Sequence, residues 1–210
     1  MQNNFSPNML KTYQTCPRKF YFQYIEGLNV PKATTPFEKG KKIHALANYY
    51  LQGVNIDKLE QNLNSDEIKT WQRLKQNEYY LKDCYKSEFS LTCRVGNYWV
   101  NGRLDAVVYE NNNYYILDYK TGSIPQNPEF DFQTMIYLLC LDQYLENYNS
   151  LSFVYINLKE NKNFVIKFNS DLRAEYVQKI ISACEKIEND KIYPTSSDCK
   201  YCEFKKICVH

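Results

Sequence analysis

The sequence predicts an α/β (α+β) domain in which a central mixed sheet is flanked by helices. Apolar residues recur at helical spacing up to about residue 84, alternate with polar residues from Tyr85, and return to helical spacing near residue 130. The 210 residues are 44% hydrophobic and include only 6 Gly and 7 Pro, which excludes disordered and collagen-like chains. We therefore expect one domain, residues 1–210, with a sizeable buried core.

The N-terminal part, residues 1–83, is predicted to be helical. Ser6 followed by Pro7 is typical of a helix start, and Gly27 is typical of a helix end. Ser65 is the expected cap of a later amphipathic helix. The predicted helices begin after Ser6, span residues 18–25, run from Thr35 to about Gly53 with His44 in the middle, and extend from Ser65 through Leu81.

The middle part, residues 84–190, is predicted to contain the sheet. Gly96-Asn97 and the three asparagines at 111–113 indicate tight turns between three consecutive strands. A strongly apolar segment after residue 130 is expected to form a helix packed across the sheet, and Ser170 is expected to cap the last helix. The predicted elements are strands 85–93, 98–109 and 114–121, helix 130–148, strands 152–159 and 163–168, helix 170–188, and a cysteine-rich tail, 191–210.

The charge balance is nearly neutral, so any nucleic-acid partner must meet a local patch. Lys and Arg number 26 against 24 Asp and Glu, a net charge of +2. Residues 11–42 form a basic stretch with interleaved aromatic residues, in which Arg18, Lys19 and Lys41 are candidate phosphate contacts for single-stranded DNA. A solvated helix face above packed aromatics explains the stretch equally well. The sequence shows no signal peptide and no apolar run near the roughly 20 residues of a membrane span, so we expect a cytoplasmic protein without membrane contact.

The clearest chemical signal lies on the second and third predicted strands. Asp105 ends the segment Gly-Arg-Leu-Asp, and Asp118 is followed two residues later by Lys120, so Asp118 and Lys120 point to one sheet face. Two neighbouring carboxylates repel, and a Mg²⁺ or Mn²⁺ ion between them removes that cost while activating a bound water. The alternative is an exposed Asp and Lys on a surface strand, but the apolar run before Asp118 favours a central strand.

These residues resemble the PD-(D/E)XK nuclease superfamily in its RecB-like branch. The similarity rests on the segments ending at Asp105 and beginning at Asp118, on Gln133 with Tyr137 four residues later, on Gly-Lys-Lys-Ile-His ending at His44, and on Glu88. The resemblance implies a restriction-endonuclease-like core, with residues 84–190 as its catalytic part. It also implies a metal-dependent deoxyribonuclease that acts, as an exonuclease, on single-stranded DNA or DNA ends.

The resemblance assigns roles to individual residues. His44, Asp105 and Asp118 would ligate the metal together with the backbone carbonyl of Tyr119, and Lys120 would be the catalytic lysine. Glu88 would lie near the metal, whereas Gln133 and Tyr137 would face the DNA or the lysine. An imidazole among carboxylates suits Mn²⁺ better than Mg²⁺. Without the other motifs, a helical histidine is more often a core or surface residue.

The cysteines form a second group of candidate ligands. Eight cysteines without a signal peptide point to metal or cluster ligation rather than to disulfides. Cys199, Cys202 and Cys208 crowd the tail, and Cys16 lies far upstream. Buried thiols and a four-thiolate zinc site are the alternatives, and burial fits the remaining four: Cys84, Cys93, Cys140 and Cys184. The pattern resembles the iron–sulfur variant of the same branch and is similar to AddB-like and CRISPR adaptation nucleases. The resemblance implies that a [4Fe–4S] cluster binds to Cys16, Cys199, Cys202 and Cys208. This cluster would lie in a lobe formed by the N-terminal helices and the cysteine-rich C-terminal tail.

The sequence also indicates which partners and pathways to expect. The sequence contains no P-loop, so the chain cannot itself unwind duplex DNA with ATP, and we expect it to work alone or with a helicase or integrase partner. DNA repair or recombination and CRISPR adaptation are both compatible pathways. The rival hypothesis is a non-catalytic iron–sulfur adaptor that binds DNA ends. Four intact residues argue against it: His44, Asp105, Asp118 and Lys120. An iron–sulfur electron carrier would not need these residues.

Overall fold

The fold consists of one mixed sheet between two layers of helices, as predicted from the sequence, and the sheet has six strands where five were predicted. A computed structural model describes residues 4–30, 35–196, 199–200 and 202–208, with the side chains of 35–39 outside this description. The strands are β1 (Asn4–Phe5), β2 (Asp83–Val95), β3 (Tyr98–Glu110), β4 (Asn113–Lys120), β5 (Ser150–Asn157) and β6 (Lys162–Lys167). The helices are α1 (Pro7–Thr15), α2 (Pro17–Phe20) with a π-helical turn (Tyr21–Ile25), α3 (Thr35–Leu51), α4 (Asp57–Glu60), α5 (Ser65–Lys75), α6 (Phe132–Tyr144) and α7 (Ser170–Asn189), with a 3₁₀ turn (Pro128–Phe130) before α6.

The sheet has the order β1-β3-β4-β5-β6, and β2 pairs with β3. Gly96 (φ 58°) and the pair Asn111 (φ 50°) and Asn112 (φ 60°) adopt the left-handed conformation that tight antiparallel turns require, and so produce the predicted meander β2–β3–β4. Strand β5 then lies parallel to β4. A parallel neighbour needs a long crossover, which α6 supplies.

Helix α6 is buried along most of its length, as its sequence predicts. Every residue from Thr134 to Asp142 is buried. One sheet face packs on α6, α1 and α7, while the other packs on α3 and α5 through Ile43, Trp71 and Leu74. The carboxyl end of β4 therefore lies between two helical layers, where side chains from both can meet.

Several predicted boundaries are wrong for identifiable reasons. Asn64, not Ser65, caps α5, because its side chain accepts hydrogen bonds from the amides of Asp66 and Glu67 in a capping box. Likewise Asn169, rather than Ser170, accepts the first-turn amide of α7. The first of these helices stops at Lys75, so Leu81 lies outside it and is 66% exposed.

Helix α6 ends at Tyr144 rather than at 148, because the backbone of Leu145 turns to an extended conformation. The sequence reading also missed β1 and α4, which are too short to carry a periodic pattern. In the part of the chain that the structure describes, no helix combines the length and apolarity needed to cross a bilayer.

Candidate active site

The carboxyl end of β4 places Asp118 and Lys120 beside the first turn of α6. Asp118 is buried, with Lys120 Nζ 2.8 Å from its Oδ2, and Oδ1 accepts a hydrogen bond of 2.5 Å from Gln133 Nε2. Lys120 Nζ also donates to Gln133 Oε1 at 3.4 Å. Asp131 caps α6 by accepting a hydrogen bond from the backbone amide of Gln133, which fixes the position of the Gln133 backbone and hence the starting point of its side chain. Three predicted site residues therefore meet in one network.

The opposite helical layer brings His44 to the second carboxylate. His44 lies in α3, with Nδ1 3.2 Å from Asp105 Oδ1 and Nε2 3.0 Å from the carbonyl oxygen of Tyr119. Asp105 Oδ2 accepts the Tyr119 amide at 3.2 Å, which ties β3 to the end of β4 beyond their last ladder pair. The side chains and the carbonyl oxygen that the sequence nominates as ligands thus converge from α3, β3 and β4.

Burial and neighbouring charges shift the pKa values of Asp118 and His44. Burial, with the charge of Asp105, raises the pKa of Asp118 to about 6, although Lys120 opposes the shift. Burial alone would lower the pKa of His44, but its hydrogen bond and charge interaction with Asp105 raise it. A buried carboxylate that is costly to ionise gains most from a bound cation.

Glu88 reaches the same cavity from β2 in a strained conformation. Its φ of 48° is left-handed, which is uncommon for a residue with a side chain and is often found at functional sites. Glu88 Oε2 lies 2.8 Å from Arg103 Nε, and both residues line a cavity of about 880 Å³ together with His44 and Lys120. Arg103 is a site residue that the sequence analysis quoted within a motif but did not assign a role.

Tyr137 is held against the backbone of β3. A Cβ on Gly102 would lie 2.1 Å from Tyr137 Cε1, so only glycine permits this contact. Tyr137 and Gln133 line a second, smaller cavity that also reaches Asp105 and Arg103. The two motif residues of α6 therefore face the site, on the side away from α3.

The candidate DNA contacts are divided by the fold. Lys41 lines the same cavity as His44 and is exposed. Arg18 donates from a terminal amino group to the carbonyl of Ile192 at 3.2 Å, and Lys19 Nζ is 2.9 Å from Glu203. The structure therefore gives Arg18 and Lys19 partners in the C-terminal tail, and their contact with DNA stays a prediction.

The four candidate cluster cysteines lie where α2 meets the tail. Cys16 caps α2, with its sulfur accepting the Lys19 amide at 3.4 Å. Burial raises the pKa of the Cys208 thiol, and the nearby thiols of Cys199, Cys16 and Cys202 add to that shift. The other three thiols of this set are therefore near Cys208. The other cysteines are elsewhere, with Cys93, Cys140 and Cys184 buried in the core and Cys84 half-buried.

The candidate metal ligands contact one another directly, and their donor types suit a divalent cation. Within the described ranges, no group of three or more His, Cys, Asp or Glu side chains is arranged to hold a metal ion. At the active site this reflects direct contacts between the candidate ligands, since His44 bridges Asp105 and the Tyr119 carbonyl. The donor set of two carboxylates, an imidazole and a carbonyl still fits a divalent cation. Asp118 Oδ2 fits as well, because it is buried, faces Lys120 as an ion-pair partner and receives no well-formed hydrogen bond from a described residue.

Comparison with known proteins gives one family. Residues 4–87 and 65–209 match the model of the PD-(D/E)XK nuclease superfamily. The CRISPR-associated exonuclease Cas4 of Francisella tularensis subsp. novicida (strain U112) is 21% identical over 204 residues, which are 96% of this chain and 91% of that protein. A crystal structure described as that of a candidate exonuclease from Eubacterium rectale aligns with a TM-score of 0.60 and 11% identity, covering 99% of this chain and 90% of that one. The structural likeness concerns the fold.

Proposed function

Because the chain belongs to the PD-(D/E)XK nuclease superfamily, we propose that it is a metal-dependent exonuclease that acts on single-stranded DNA or DNA ends. The observation that carries the proposal is the contact between Lys120 and the buried Asp118, with Asp105 and His44 on the other side of the same strand end. A lysine and two carboxylates at one strand end, where Lys120 and Asp105 line an open cavity, are the groups that phosphodiester hydrolysis needs.

The proposed metal ligands are His44, Asp105, Asp118 and the carbonyl of Tyr119. Mn²⁺ or Mg²⁺ bound by them would polarise a phosphoryl oxygen and lower the pKa of a bound water. The imidazole favours Mn²⁺. Glu88 lines the same cavity and is proposed to help position this centre.

The remaining residues act through hydrogen bonds. Lys120 donates to the scissile phosphate or to the attacking water and stabilises the negative charge that develops in the transition state. Gln133 holds the Lys120 ammonium and Asp118 in register, because its amide bonds both. Tyr137 lines the adjoining cavity, where the DNA backbone is expected to pass.

The first experiment compares wild type with Lys120→Ala on end-labelled single-stranded DNA in Mn²⁺ or EDTA. We expect Mn²⁺-dependent shortening by wild type and its loss in the variant, while both proteins unfold at similar temperatures. Lys167→Ala, which changes an exposed lysine at the far edge of the sheet, is the matched control and should cleave normally. Equal binding without cleavage by wild type would instead favour the non-catalytic adaptor.

The cysteine group is proposed to bind a [4Fe–4S] cluster through Cys16, Cys199, Cys202 and Cys208. Support comes from the position of the other three thiols near Cys208, from the place of Cys16 at the start of α2, and from the resemblance to iron–sulfur nucleases. Anaerobically purified wild type should contain about four iron and about four sulfide per chain, the content of one [4Fe–4S] cluster. Cys202→Ser should lose both, whereas Cys84→Ser should retain them. Zinc without sulfide would identify the structural zinc alternative.

We further propose that the protein acts in the cytoplasm, in CRISPR adaptation or in DNA repair or recombination. The similarity to a CRISPR-associated exonuclease supports the first of these pathways. Since the chain has no P-loop, a helicase or an integrase is the proposed protein partner. Lys41 at the cavity, with Arg18 and Lys19 nearer the tail, is the proposed set of basic DNA contacts.

A further inference from the structure

Three neighbouring cavities, each of which shares lining residues with the next, extend from the active site along the segment between β4 and α6. The catalytic cavity shares Lys120 and Ser123 with a smaller cavity of about 580 Å³. This second cavity shares Lys11, Pro125 and Gln126 with a third of about 880 Å³, where α1, α6 and α7 meet. We call the second and third cavities together the lateral groove.

The walls of the lateral groove combine apolar and basic side chains. Phe130, Phe132 and Met135 supply apolar surface, and the two phenylalanines are only partly buried. Lys11, Lys179 and Lys186 line the third cavity against a single acidic residue, Asp131. Aromatic surface next to lysines is the combination that binds single-stranded nucleic acid, with bases on the rings and phosphates on the cations.

Two of these lysines, Lys11 and Lys179, form ion pairs with carboxylates that DNA phosphates can replace. Lys11 Nζ lies 2.7 Å from Asp131, and Lys179 Nζ lies 3.3 Å from Glu175. The side chains of Lys11 and Lys179 are 54% and 45% exposed, and ion pairs of such exposure contribute little to stability. Lys179 Nζ also lies 4.8 Å from the centre of the Phe130 ring, so a cation and an aromatic face are already adjacent.

We propose that the lateral groove binds the continuation of the DNA strand whose phosphodiester lies at the catalytic cavity. Phosphates would contact Lys11, Lys179 and Lys186, and a base would pack on Phe130 or Phe132. The proposal rests on the proposed function for its substrate class, and on the shared lining residues for its path. The groove thus determines how many nucleotides beyond the cut the protein holds.

The first test measures affinity for single-stranded DNA in EDTA, where no cleavage is expected. Replacing Lys179→Gln and Lys186→Gln together should weaken binding several-fold and reduce the slope of log K against log salt by about 1.4, or about 0.7 per lost phosphate contact. The matched control is Lys58→Gln with Lys69→Gln, two exposed lysines on α4 and α5 that line none of these cavities. Equal slopes for the two double variants would overturn the proposal.

The second test locates the strand directly. Single-stranded DNA with one 4-thiothymidine at successive positions is crosslinked to the full chain in EDTA, and the attached peptides are identified by mass spectrometry. We expect crosslinks within residues 125–135 and 178–186. Crosslinks confined to other segments, or an acidic peptide that competes for the groove while DNA does not bind, would refute the strand path.

The two failures are distinguishable. Crosslinks in the lateral groove without Mn²⁺-dependent cleavage would retain the strand path and reject the nuclease assignment. Cleavage that depends on Lys120, with crosslinks only elsewhere, would retain the nuclease and reject the strand path.

Discussion

Gly102 shows how one residue determines the position of another in the site. The Tyr137 ring occupies the space where a Cβ would project from β3, and Tyr137 Cδ1 would be only 2.7 Å from that atom. The ring is therefore fixed between the strand and α6. This contact explains why the segment that ends at Asp105 begins with glycine, which the sequence pattern alone did not explain.

We predict that Gly102→Ala destabilises the protein by about 1–3 kcal/mol, the usual cost of overpacking. In a Tyr137→Ala background the same change should cost much less, because the clashing ring is absent. Thermal or urea unfolding of the four proteins in this double-mutant cycle measures the coupling. Additive effects would show that the ring does not determine the cost.

Residue-scale prediction from sequence succeeded where local spacing decides the outcome. Alternation along β4 is enough to place Asp118 and Lys120 on one face, as the 2.8 Å contact shows. The bond from Gln133 to Asp118 and the pairing of Glu88 with Arg103 depend on packing between elements. No spacing rule contains that information.

Among the elements, α1 and the segment after α7 are joined through Asp190. Tyr13 Oη donates to Asp190 Oδ2 at 2.7 Å, while Oδ1 accepts the amides of Ile192 and Tyr193 at 2.9 and 2.8 Å. Burial alone would raise the pKa of Asp190, but these hydrogen bonds lower it below its ordinary value. The ionised carboxylate therefore stabilises the junction.

A pH dependence follows with a definite sign. Because the folded-state pKa of Asp190 is depressed, its stabilisation is present above the unfolded pKa of about 3.9 and is lost as pH falls through the folded value. Asp190→Asn should lower the unfolding temperature near neutral pH, and its difference from wild type should shrink below about pH 4. Asp83→Asn, at the exposed start of β2, should show no such pH-dependent gap. A gap that is constant with pH would contradict the assignment.

Element boundaries were harder to predict than element types. Asn64 and Asn169 cap their helices although a serine follows each of them in the sequence. Two adjacent residues that both favour the cap position leave the start ambiguous by one residue. The period of the apolar residues does not resolve this, since both choices bury the same helix face.

On the scale of the whole molecule, the tail contacts α2 and the turn that follows it. The Arg18 amide donates to the Pro194 carbonyl at 3.1 Å, and the rings of Phe22 and Phe204 are 5.5 Å apart. The proposed cluster on the four cysteines would add covalent ties across this junction. The stability of the tail should therefore depend on that cluster in addition to these contacts.

We predict that Cys202→Ser accelerates trypsin cleavage at Lys205 or Lys206, because loss of the cluster frees the tail. The catalytic core should resist digestion for as long as it does in wild type. Cys84→Ser, which changes a half-buried thiol at the start of β2, provides the control. An unchanged cleavage rate in Cys202→Ser would show that contacts such as that of Phe204 hold the tail without a cluster.

The overall architecture was predictable because the periodicity of apolar residues changes from helical to alternating near β2 and back again at α6. Strand β1 was not, since its two residues, Asn4 and Phe5, are defined only by pairing with Trp99 and Val100. The sequence likewise did not predict that Lys41 lines the cavity while Arg18 and Lys19 contact the tail. This difference depends on which face of α2 packs against the tail.

The junction between α2 and the tail also constrains how the protein is made. Its two halves are synthesised far apart in time: at about 5–20 residues per second, the ribosome needs roughly 10–30 s to reach residue 194 after residue 18. All strands of the sheet have by then been translated. The sheet can therefore form on the nascent chain. The contacts of Arg18 in α2 with Ile192 and Pro194 can form only after those residues have been translated. Assembly of the proposed cluster on all four cysteines would have to follow the translation of this segment.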